Sequence, residues 1–266
     1  MNVLPGDPAL TILGLDATED ALDALREKLG LNEPLLNRYF SWVFNAVRGN
    51  FGVSHSFSVP VSELIIERLP LTVSLAISGM LCTIFLAFVL GVFAAANHQR
   101  SGDWGVMIIS QLGIAVPAFW LSILLVLLFA VKLRWLPPGG FPGWESPVDA
   151  LRSLIMPTLA LTLVQSAVLA RVTRSSMLEI KRQDYIRTAQ ASGLHRRRIL
   201  WLHTLPNALI PIVTIIGMQF AALVTGTIVI ENVFYLPGLG KLIFQSISNR
   251  DLPTVQALVM LFAAIV

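Results

Sequence analysis

The four histidines are the first residues that could bind a metal ion or transfer protons. They lie in predicted loops or at the start of an apolar stretch: His55, His98, His195 and His203. A metal site needs several His, Cys or carboxylate ligands close together, and no two histidines have the H-E-x-x-H spacing of two ligands on one helix face. Cys82 is the single cysteine, so an internal disulfide cannot form. We expect no metal ion, no cofactor and no catalytic residue.

A short glycine-rich stretch, Gly238-Leu239-Gly240-Lys241, superficially resembles a phosphate-binding loop. A Walker A loop needs a glycine five positions before the glycine of its Gly-Lys pair, and Ser or Thr after the lysine. Those positions hold Tyr235 and Leu242. We therefore interpret the stretch, which follows Pro237, as a turn in a loop.

Four stretches contain no Asp, Glu, Lys, Arg or His, although the chain of 266 residues has 19 Lys and Arg and 16 Asp and Glu. They are residues 71–96, 105–131, 153–170 and 204–230. Hydrophobic residues make up 55% of the chain and charged residues 13%, against roughly 25% charged residues in a soluble domain. Such stretches predict transmembrane helices. A soluble enzyme, a nucleic-acid-binding protein and a secreted disulfide-linked protein are excluded.

The predicted spans contain no ionisable acid, base or imidazole. A proton-coupled carrier normally needs such a group within the membrane, so a secondary carrier is disfavoured. If the chain moves a solute uphill, a partner must supply the energy. A membrane scaffold or assembly subunit without transport of its own remains an alternative that the composition permits.

The charge distribution predicts the orientation in the membrane. Residues 171–203 contain eight Lys and Arg and two acids, whereas residues 1–70 contain five Lys and Arg and nine acids. By the positive-inside rule the basic segment is cytoplasmic. Three spans separate the two segments, so residues 1–70 are expected outside, together with the loops at 132–152 and 231–252. The apolar run at 254–266 is about 20 Å long as a helix, short of a roughly 30 Å hydrocarbon core.

The acidic outer segment has helix signals of its own. Asp16 and Glu19 have capping-box spacing, Gly30 is a helix stop, and Pro34 suits the first turn of a second helix. In this second helix, apolar residues recur at three- and four-residue steps: Leu36, Phe40, Phe44 and Val47. The segment is either a small packed cap or an amphipathic helix on the outer membrane surface. Since no basic and apolar leader precedes it, we expect that a further span belongs before residue 1.

The basic cytoplasmic segment contains a short predicted helix. Asp184 can cap a helix over residues 185–192, and Gly193 can end it. Ile186, Ala189 and Gly193 fall on one side, where small residues allow another surface to approach closely. The alternative is an ordinary cytoplasmic loop that obeys the positive-inside rule and whose glycine only ends a helix.

This segment resembles the "EAA" loop of type I ABC importer permeases, whose pattern is E-A-A-x-x-x-G, nine residues, then I-x-L-P. The chain keeps four of these positions: Ala189, Gly193, Leu205 and Pro206. It departs at three: Arg187, Thr188 and His203. The form T-A-x-A-x-G-L at residues 188–194 is similar to the variant of the dipeptide, oligopeptide and nickel subclass.

Further motifs resemble this subclass in the same order along nearly the whole chain. They are Leu4-Pro5-Gly6-Asp7-Pro8, Leu29-Gly30-Leu31 with Pro34, Gly49-Asn50-Phe51-Gly52 with Ser54, and Glu231-Asn232-Val233-Phe234 with Pro237-Gly238-Leu239-Gly240. Such permeases have a full helix before the first motif and a complete sixth helix at the end. The resemblance therefore also implies that the first helix and part of the last are missing from these 266 residues.

The resemblance implies an all-α fold, a polytopic membrane helical bundle in the inner membrane. Residues 1–70 would form an extracytoplasmic segment, and residues 71–266 the permease domain with a cytoplasmic coupling loop at 176–205. The implied partners are the lipid bilayer, a second homologous permease, two cytoplasmic ABC ATPases and an extracytoplasmic solute-binding protein. ATP would be hydrolysed on the ATPases, so the chain itself would not be an enzyme. Peptides, glutathione, nickel complexes and some oligosaccharides all remain open as solutes.

Two sets of residues are the candidate sites. The coupling-loop residues are Asp184, Tyr185, Ile186, Arg187, Thr188, Ala189, Ala191, Gly193, Leu205 and Pro206. The candidates for lining the translocation pathway are the uncharged polar residues Gln111, Gln165, Ser166, Gln219 and Thr225. The alternative for the second set is hydrogen bonding between neighbouring helices. Three prolines are candidate kinks within the spans: Pro117, Pro157 and Pro211.

Overall fold

The computed structural model describes residue 14, residues 17–28 and residues 34–266. Within these ranges the chain is built from α-helices with two π-helical segments, and Val53 and Pro60 form an isolated antiparallel bridge. The contacts divide the chain into two compact units. The larger is Leu69–Lys241 with Ile265–Val266, and the smaller combines the described residues up to Arg68 with Leu242–Ala264.

The helices are named in chain order. The first five are α1 (Glu19–Lys28), α2 (Leu35–Val47), α3 (Val61–Ala96), α4 (Ser101–Ala115) and α5 (Ala118–Leu125), which continues as a π-helix over Val126–Lys132. The next two are α6 (Pro147–Lys181) and α7 (Asp184–Ala191). A single turn at Arg196–Arg198 and a π-helix at Ile199–Thr204 lead into α8 (Leu205–Val233), which is followed by α9 (Leu239–Ser248) and α10 (Leu252–Ile265).

Among the described residues, three helical stretches are long and apolar enough to cross a membrane, namely Val61–Ala96, Pro147–Lys181 and Ile199–Val233. They contain three of the four predicted spans. The predicted span over residues 105–131 is broken at the candidate kink Pro117, where α4 and α5 meet at an angle of 102°. Val116 is extended (φ −85°, ψ 121°), as the residue before a proline prefers, and Pro117 is the N-cap of α5.

The other prolines do not end their helices. Pro157 lies inside α6 and Pro211 inside α8, and both helices run on past them. Pro70 is likewise inside α3. Of the three predicted kink positions, Pro117 is therefore the one at which the chain changes direction sharply.

The core of the larger unit is made largely of small side chains at the contacts of α3, α6 and α8. Its buried members are Ala87, Ala95, Leu169, Ala170, Met177, Ala208 and Ile212. A Cβ at Gly91 would come within 2.6 Å of the Thr173 side chain and 2.8 Å of the Ala170 carbonyl oxygen. Membrane helices pack closely where small residues let their backbones approach. At Gly91 the absence of a side chain lets α3 pack closely against α6.

The outer segment forms two helices, α1 and α2, but Pro34 is the N-cap of α2 rather than part of its first turn. Phe44 and Val47 are exposed, at 58% and 81% of their surface, and Phe40 is exposed too. Their exposure favours the amphipathic surface helix over the packed cap. Several predicted features lie outside the described residues: the stretch at 4–8, Asp16, the stretch at 29–31 and the side chain of Leu36.

Candidate functional site

Helix α7, the candidate coupling helix, starts one residue earlier than predicted. Gln183 is its N-cap, with extended backbone and no side-chain cap hydrogen bond. Asp184 is therefore the first helical residue and not the cap, and its exposed carboxylate lies 3.4 Å from the guanidinium of Arg187. A carboxylate in the first turn still interacts favourably with the helix dipole.

The predicted end of this helix is confirmed. Ser192 is the C-cap, and Gly193 follows with φ of +80°, a conformation that side chains with a Cβ rarely adopt. The Gly193 N–H donates to the Gln190 carbonyl at 3.0 Å. A Cβ at Gly193 would meet no atom within 4 Å. The glycine is required here by the backbone rather than by close packing within the chain.

The side of α7 predicted to face a partner is turned inward in part. Ile186 is fully buried, and Ala189 is half-buried, where α7 packs against α6 and the π-helix at Ile199–Thr204. The prediction that Ile186 belongs to a small outward-facing side is therefore wrong, because this apolar side chain anchors the helix to its own chain. The outward side carries exposed residues: Tyr185, Arg187, Thr188 and Ala191.

The second half of the EAA-like pattern marks the entrance to α8. Leu205 is its first residue and half-buried against the core, and Pro206 follows in the first turn, where a proline is tolerated. The π-helix before it buries Ile199 and Thr204. Nothing in the hydrophobic pattern indicated this π-helix, which is a common feature of functional segments.

A buried charge network ties the loop between α3 and α4 to α6. Asp103 is 3% exposed, and Arg174 donates from Nε to its Oδ1 at 2.5 Å and from Nη2 to its Oδ2 at 2.7 Å. The His98 Nδ1 lies 3.1 Å from the same carboxylate, and the Gln99 N–H donates to it at 3.0 Å. Near the end of α6, the Lys181 ammonium donates to the Ala95 carbonyl at 2.6 Å. The end of α6 that leads into α7 is thus held to α3 and α4.

The five pathway candidates do not share one environment. Ser166 and Gln219 are buried, and the Gln219 side-chain amide donates to the Gln165 backbone carbonyl at 3.3 Å across the contact of α6 and α8. Both lie between helices of one chain, which is the alternative that the sequence left open for these residues. Gln165 is half-buried, whereas Gln111, which accepts from Arg171 at 3.4 Å, and Thr225 are exposed.

Helix α8 presents the largest uncovered face of the long helices. In an apolar 18-residue stretch of Ile199–Val233, 28% of the residues are buried inside the chain. The corresponding value for Pro147–Lys181 is 61%. Uncharged polar or small residues recur along this face at helical spacing, each of them exposed: Asn207, Thr214, Gly217 and Thr225. Sequence reasoning named Thr225 and missed the others, although their spacing of seven, three and eight residues places them on one side.

The last motif named in the sequence, at residues 231–240, folds around a buried glutamate. Glu231 is fully buried, and its carboxylate accepts from the Thr72 hydroxyl at 2.6 Å and from the backbone N–H groups of Gly240 at 2.7 Å and Lys241 at 3.2 Å. A Cβ at Gly238 would overlap the Glu231 carboxylate. The turn from Pro237 onward therefore wraps the glutamate and places it at the N-terminus of α9, where a negative charge is stabilised.

Another buried carboxylate lies in the smaller unit, where it is hydrogen-bonded to Ser54, the serine that follows the Gly-Asn-Phe-Gly motif. Asp251 is fully buried and accepts from the Ser54 hydroxyl at 2.5 Å, the His55 N–H at 3.1 Å and the Thr254 hydroxyl at 2.8 Å. It precedes α10 directly. In the ranges that the structure describes, no three His, Cys, Asp or Glu side chains gather as a metal site.

These features were compared with known proteins. A family model for the binding-protein-dependent transport system inner membrane component matches residues 87–266, and a model for the N-terminal part of such components matches residues 1–76. The chain belongs to this family. It is accordingly the permease subunit of a binding-protein-dependent ABC importer and a multi-pass protein of the inner membrane.

Individual relatives agree with this assignment. The permease is 45% identical over 263 residues to a protein of Brucella suis biovar 1 named as a peptide transport system permease, covering 98% of this chain and 83% of the relative. It is 39% identical over 263 residues to the glutathione transport system permease GsiC of Escherichia coli K12, covering 99% of this chain and 84% of the relative.

Two solved structures share the fold. A chain of the MetNI methionine ABC transporter in an inward-facing conformation aligns with a TM-score of 0.58 at 21% identity, covering 76% of the permease and 89% of that chain. A chain of an amino acid ABC transporter aligns with a TM-score of 0.59 at 14% identity, covering 77% and 88%. The predicted fold class, an all-α membrane helical bundle of the ABC importer type, is confirmed.

Proposed function

We propose that the permease forms one half of a translocation pathway for peptides or similar small solutes. The relatives from Brucella suis and Escherichia coli are named for peptide and glutathione transport, and both match nearly the whole permease. The exposed face of α8, on which Thr214 and Thr225 lie among apolar side chains such as Met218, is uncharged. Such a lining suits solutes that vary in their side chains, because no fixed charge selects among them.

The other half of the pathway would come from a second, homologous permease that covers the exposed face of α8. Two cytoplasmic ATPases would supply the energy, and a solute-binding protein would deliver the solute from outside. Residues 1–70 would then form an extracytoplasmic segment, and residues 71–266 the permease domain with its cytoplasmic coupling loop at 176–205.

The observation that carries the proposal is the two-sided coupling helix. Ile186 fixes α7 to its own chain, while Tyr185 and Thr188 remain exposed on the other side. Arg174 and Lys181 hold the preceding end of α6 to neighbouring elements. A push by an ATPase on the exposed side of α7 would therefore move α6 with it, and a two-state shift of the helices would open the pathway to alternate sides.

Photo-crosslinking tests the docking side. In a Cys82→Ala background, Thr188→Cys carries a benzophenone maleimide, and the permease is expressed with the ATPases encoded beside it. We expect a covalent product with an ATPase. Ser101→Cys, at the exposed first residue of α4, is the matched control and should give much less product. Equal products from the two positions, or none from Thr188→Cys, would refute docking through this side of α7.

Substitutions of Gly193 separate its two possible roles. Valine at a positive φ costs on the order of 1–2 kcal/mol and disturbs the turn, whereas asparagine tolerates this conformation. We expect Gly193→Val to lower solute uptake about tenfold while membrane insertion stays normal. If Gly193→Asn restores uptake completely, the glycine acts through the backbone. If Gly193→Asn is inserted but remains defective, the side-chain-free surface itself contacts the ATPase.

Thiol labelling in intact cells tests the orientation. In the same Cys82→Ala background, Ser56→Cys should react with a membrane-impermeant reagent and Ser192→Cys should not, although both positions are exposed in the structure. Labelling after lysis confirms that both thiols are reactive. The opposite pattern overturns the proposed topology and the coupling role of α7 with it.

Competition in uptake assays tests the solute class. Cells carrying the importer should take up a labelled dipeptide, and unlabelled dipeptides with acidic, basic and apolar side chains should all compete. Competition by one side-chain class alone would contradict an uncharged, unselective lining. Uptake of a nickel complex or an oligosaccharide in place of every peptide would move the importer to another solute class.

A further inference from the structure

Two adjoining cavities lie at the predicted cytoplasmic ends of α3 and α6. The smaller, of about 350 Å³, is lined by Ala95, Ala96, His98, Arg100, Leu178, Lys181 and Arg182. The larger, of about 570 Å³, is lined by Ala96, Lys181, Gln190, Leu194, Arg197, Ile199 and Leu200. They share Ala96 and Lys181 and so lie on either side of the Lys181 side chain.

Among the described residues that line them, the cavities combine basic and apolar side chains, and none of these residues is acidic. Their permanent cations are Arg100, Lys181, Arg182 and Arg197. Among the described residues, none of these four has a carboxylate within 4 Å. Asp103, the carboxylate beside the smaller cavity, is already occupied by Arg174 and His98. The excess positive charge is therefore not neutralised within this part of the chain.

A third cavity, in the predicted outer loop, differs from these two in the charges of its lining residues. That cavity, of about 560 Å³, contains Arg134 and Arg152 but also Asp149. It contains both acidic and basic side chains, whereas the charged side chains that line the two cytoplasmic cavities are all basic.

Exposed tryptophans place the cytoplasmic cavities at the depth of lipid headgroups. Trp104 is 66% exposed and lies one helical turn after the lining residue Arg100, to whose carbonyl its backbone N–H donates at 3.2 Å. Trp201, which follows the lining residue Leu200, is 56% exposed. Tryptophan is enriched at the interface between membrane and water, and Leu178 adds an apolar wall beside the arginines.

We propose that these cavities bind the phosphate headgroup of an acidic phospholipid of the inner leaflet, with Arg100 and Arg182 as its principal ligands. Basic pockets between helices on the cytoplasmic side are suited to anionic headgroups. The smaller cavity holds the phosphate, and the apolar wall receives the start of an acyl chain. The lipid would link the ends of α3 and α6 next to the coupling helix. This site is separate from the ATPase-facing side of α7 and from the polar face of α8.

Native mass spectrometry of the full chain in a neutral detergent tests the site. The chain is titrated with phosphatidylglycerol or with phosphatidylcholine of the same acyl chains. We expect at least tenfold tighter binding of phosphatidylglycerol. Arg100→Gln and Arg182→Gln should each weaken it about fivefold and leave phosphatidylcholine unchanged. Lys181 is not substituted, because its ammonium also holds the Ala95 carbonyl.

Arg198→Gln is the matched control. Arg198 is exposed, follows the lining residue Arg197 directly, and itself lines neither cavity. It should change lipid binding less than twofold. An equal loss in this variant, or no preference for phosphatidylglycerol, overturns the site. If glycerol phosphate competes as well as the lipid does, the cavity binds a soluble phosphate and the lipid assignment is wrong. If Arg182→Gln weakens ATPase co-purification without changing lipid preference, the cavity serves the ATPase instead.

Discussion

Two buried carboxylates, at opposite ends of the larger unit's helices, are stabilised by different means. Asp103 near the ends of α3 and α6 is paired with Arg174, a side chain 71 positions away on another helix. Glu231 near the end of α8 is wrapped by the turn that follows it and accepts from backbone N–H groups of Gly240 and Lys241. A pair of side chains can separate and re-form when helices move, whereas N–H groups of a helix start are fixed by the fold. If α7 couples to an ATPase as proposed, the side-chain pair suits an end of the unit that moves, and the backbone N–H groups suit an end that stays fixed.

The largest effect is expected from breaking the Asp103 pair. Arg174→Ala leaves a buried carboxylate without its cation, which costs about 3–5 kcal/mol in fully buried pairs. Because 22% of the Arg174 side chain is exposed, we expect a loss of about 2–3 kcal/mol in the free energy of unfolding. Denaturant unfolding of the purified chain in detergent measures it.

The double variant Asp103→Ala/Arg174→Ala is the control for this loss. It removes both charges and should recover most of the stability. It should nevertheless transport poorly, because α4 is no longer tied to α6. Stability as low as in Arg174→Ala alone would mean that the pair is not what the arginine stabilises.

A smaller loss is expected when Glu231 is changed. Glu231→Ala removes the acceptor for two backbone N–H groups and for the Thr72 hydroxyl, and each buried group left unsatisfied costs about 1–3 kcal/mol before relaxation. Water entering the outer loop should limit the total to about 2 kcal/mol. Glu231→Gln keeps one oxygen acceptor and should lose about half as much in the same unfolding measurement. A larger loss for Gln than for Ala would contradict the role as a hydrogen-bond acceptor.

The smallest effect is expected for Asp251, which belongs to the other unit. Asp251→Asn keeps one oxygen for the His55 N–H or for a hydroxyl, so the expected loss is about 1 kcal/mol. Ser54→Ala removes one donor and should cost a similar amount. The two changes should be less than additive in the double variant, since they affect one hydrogen bond. Full additivity would show that the hydroxyl and the carboxylate act independently.

The sequence could predict the parts of the molecule that depend on neighbouring residues. The apolar runs located the long helices, and Gly193 marked the end of α7 because a positive φ there is a local requirement. The pairing of Asp103 with Arg174 was not predicted, since the two residues are distant in sequence and contact between helices is not visible in periodicity. Pro117 was recognised as a candidate kink, but the size of the bend depends on packing.

The sequence predicted which residues belong to the candidate site, but not which of their side chains are buried within the chain itself. The pattern at residues 187–206 predicted a coupling loop, but it did not reveal that Ile186 faces inward. Ser166 and Gln219 were chosen because they are polar and within spans, and burial between helices is the other common use of such residues. The spacing of Thr214 and Thr225 was available in the sequence, but without knowledge of which helix faces are covered it had no meaning.

The sharp bend at Pro117 has a consequence for how the chain enters the membrane during synthesis. Helix α4 has 15 residues, about 22 Å, and the helical stretch from Ala118 to Lys132 is equally long. Neither half reaches across a roughly 30 Å hydrocarbon core when upright. We expect the insertion machinery to retain both halves until α6 has emerged from the ribosome, because α4 and α5 both pack against α6.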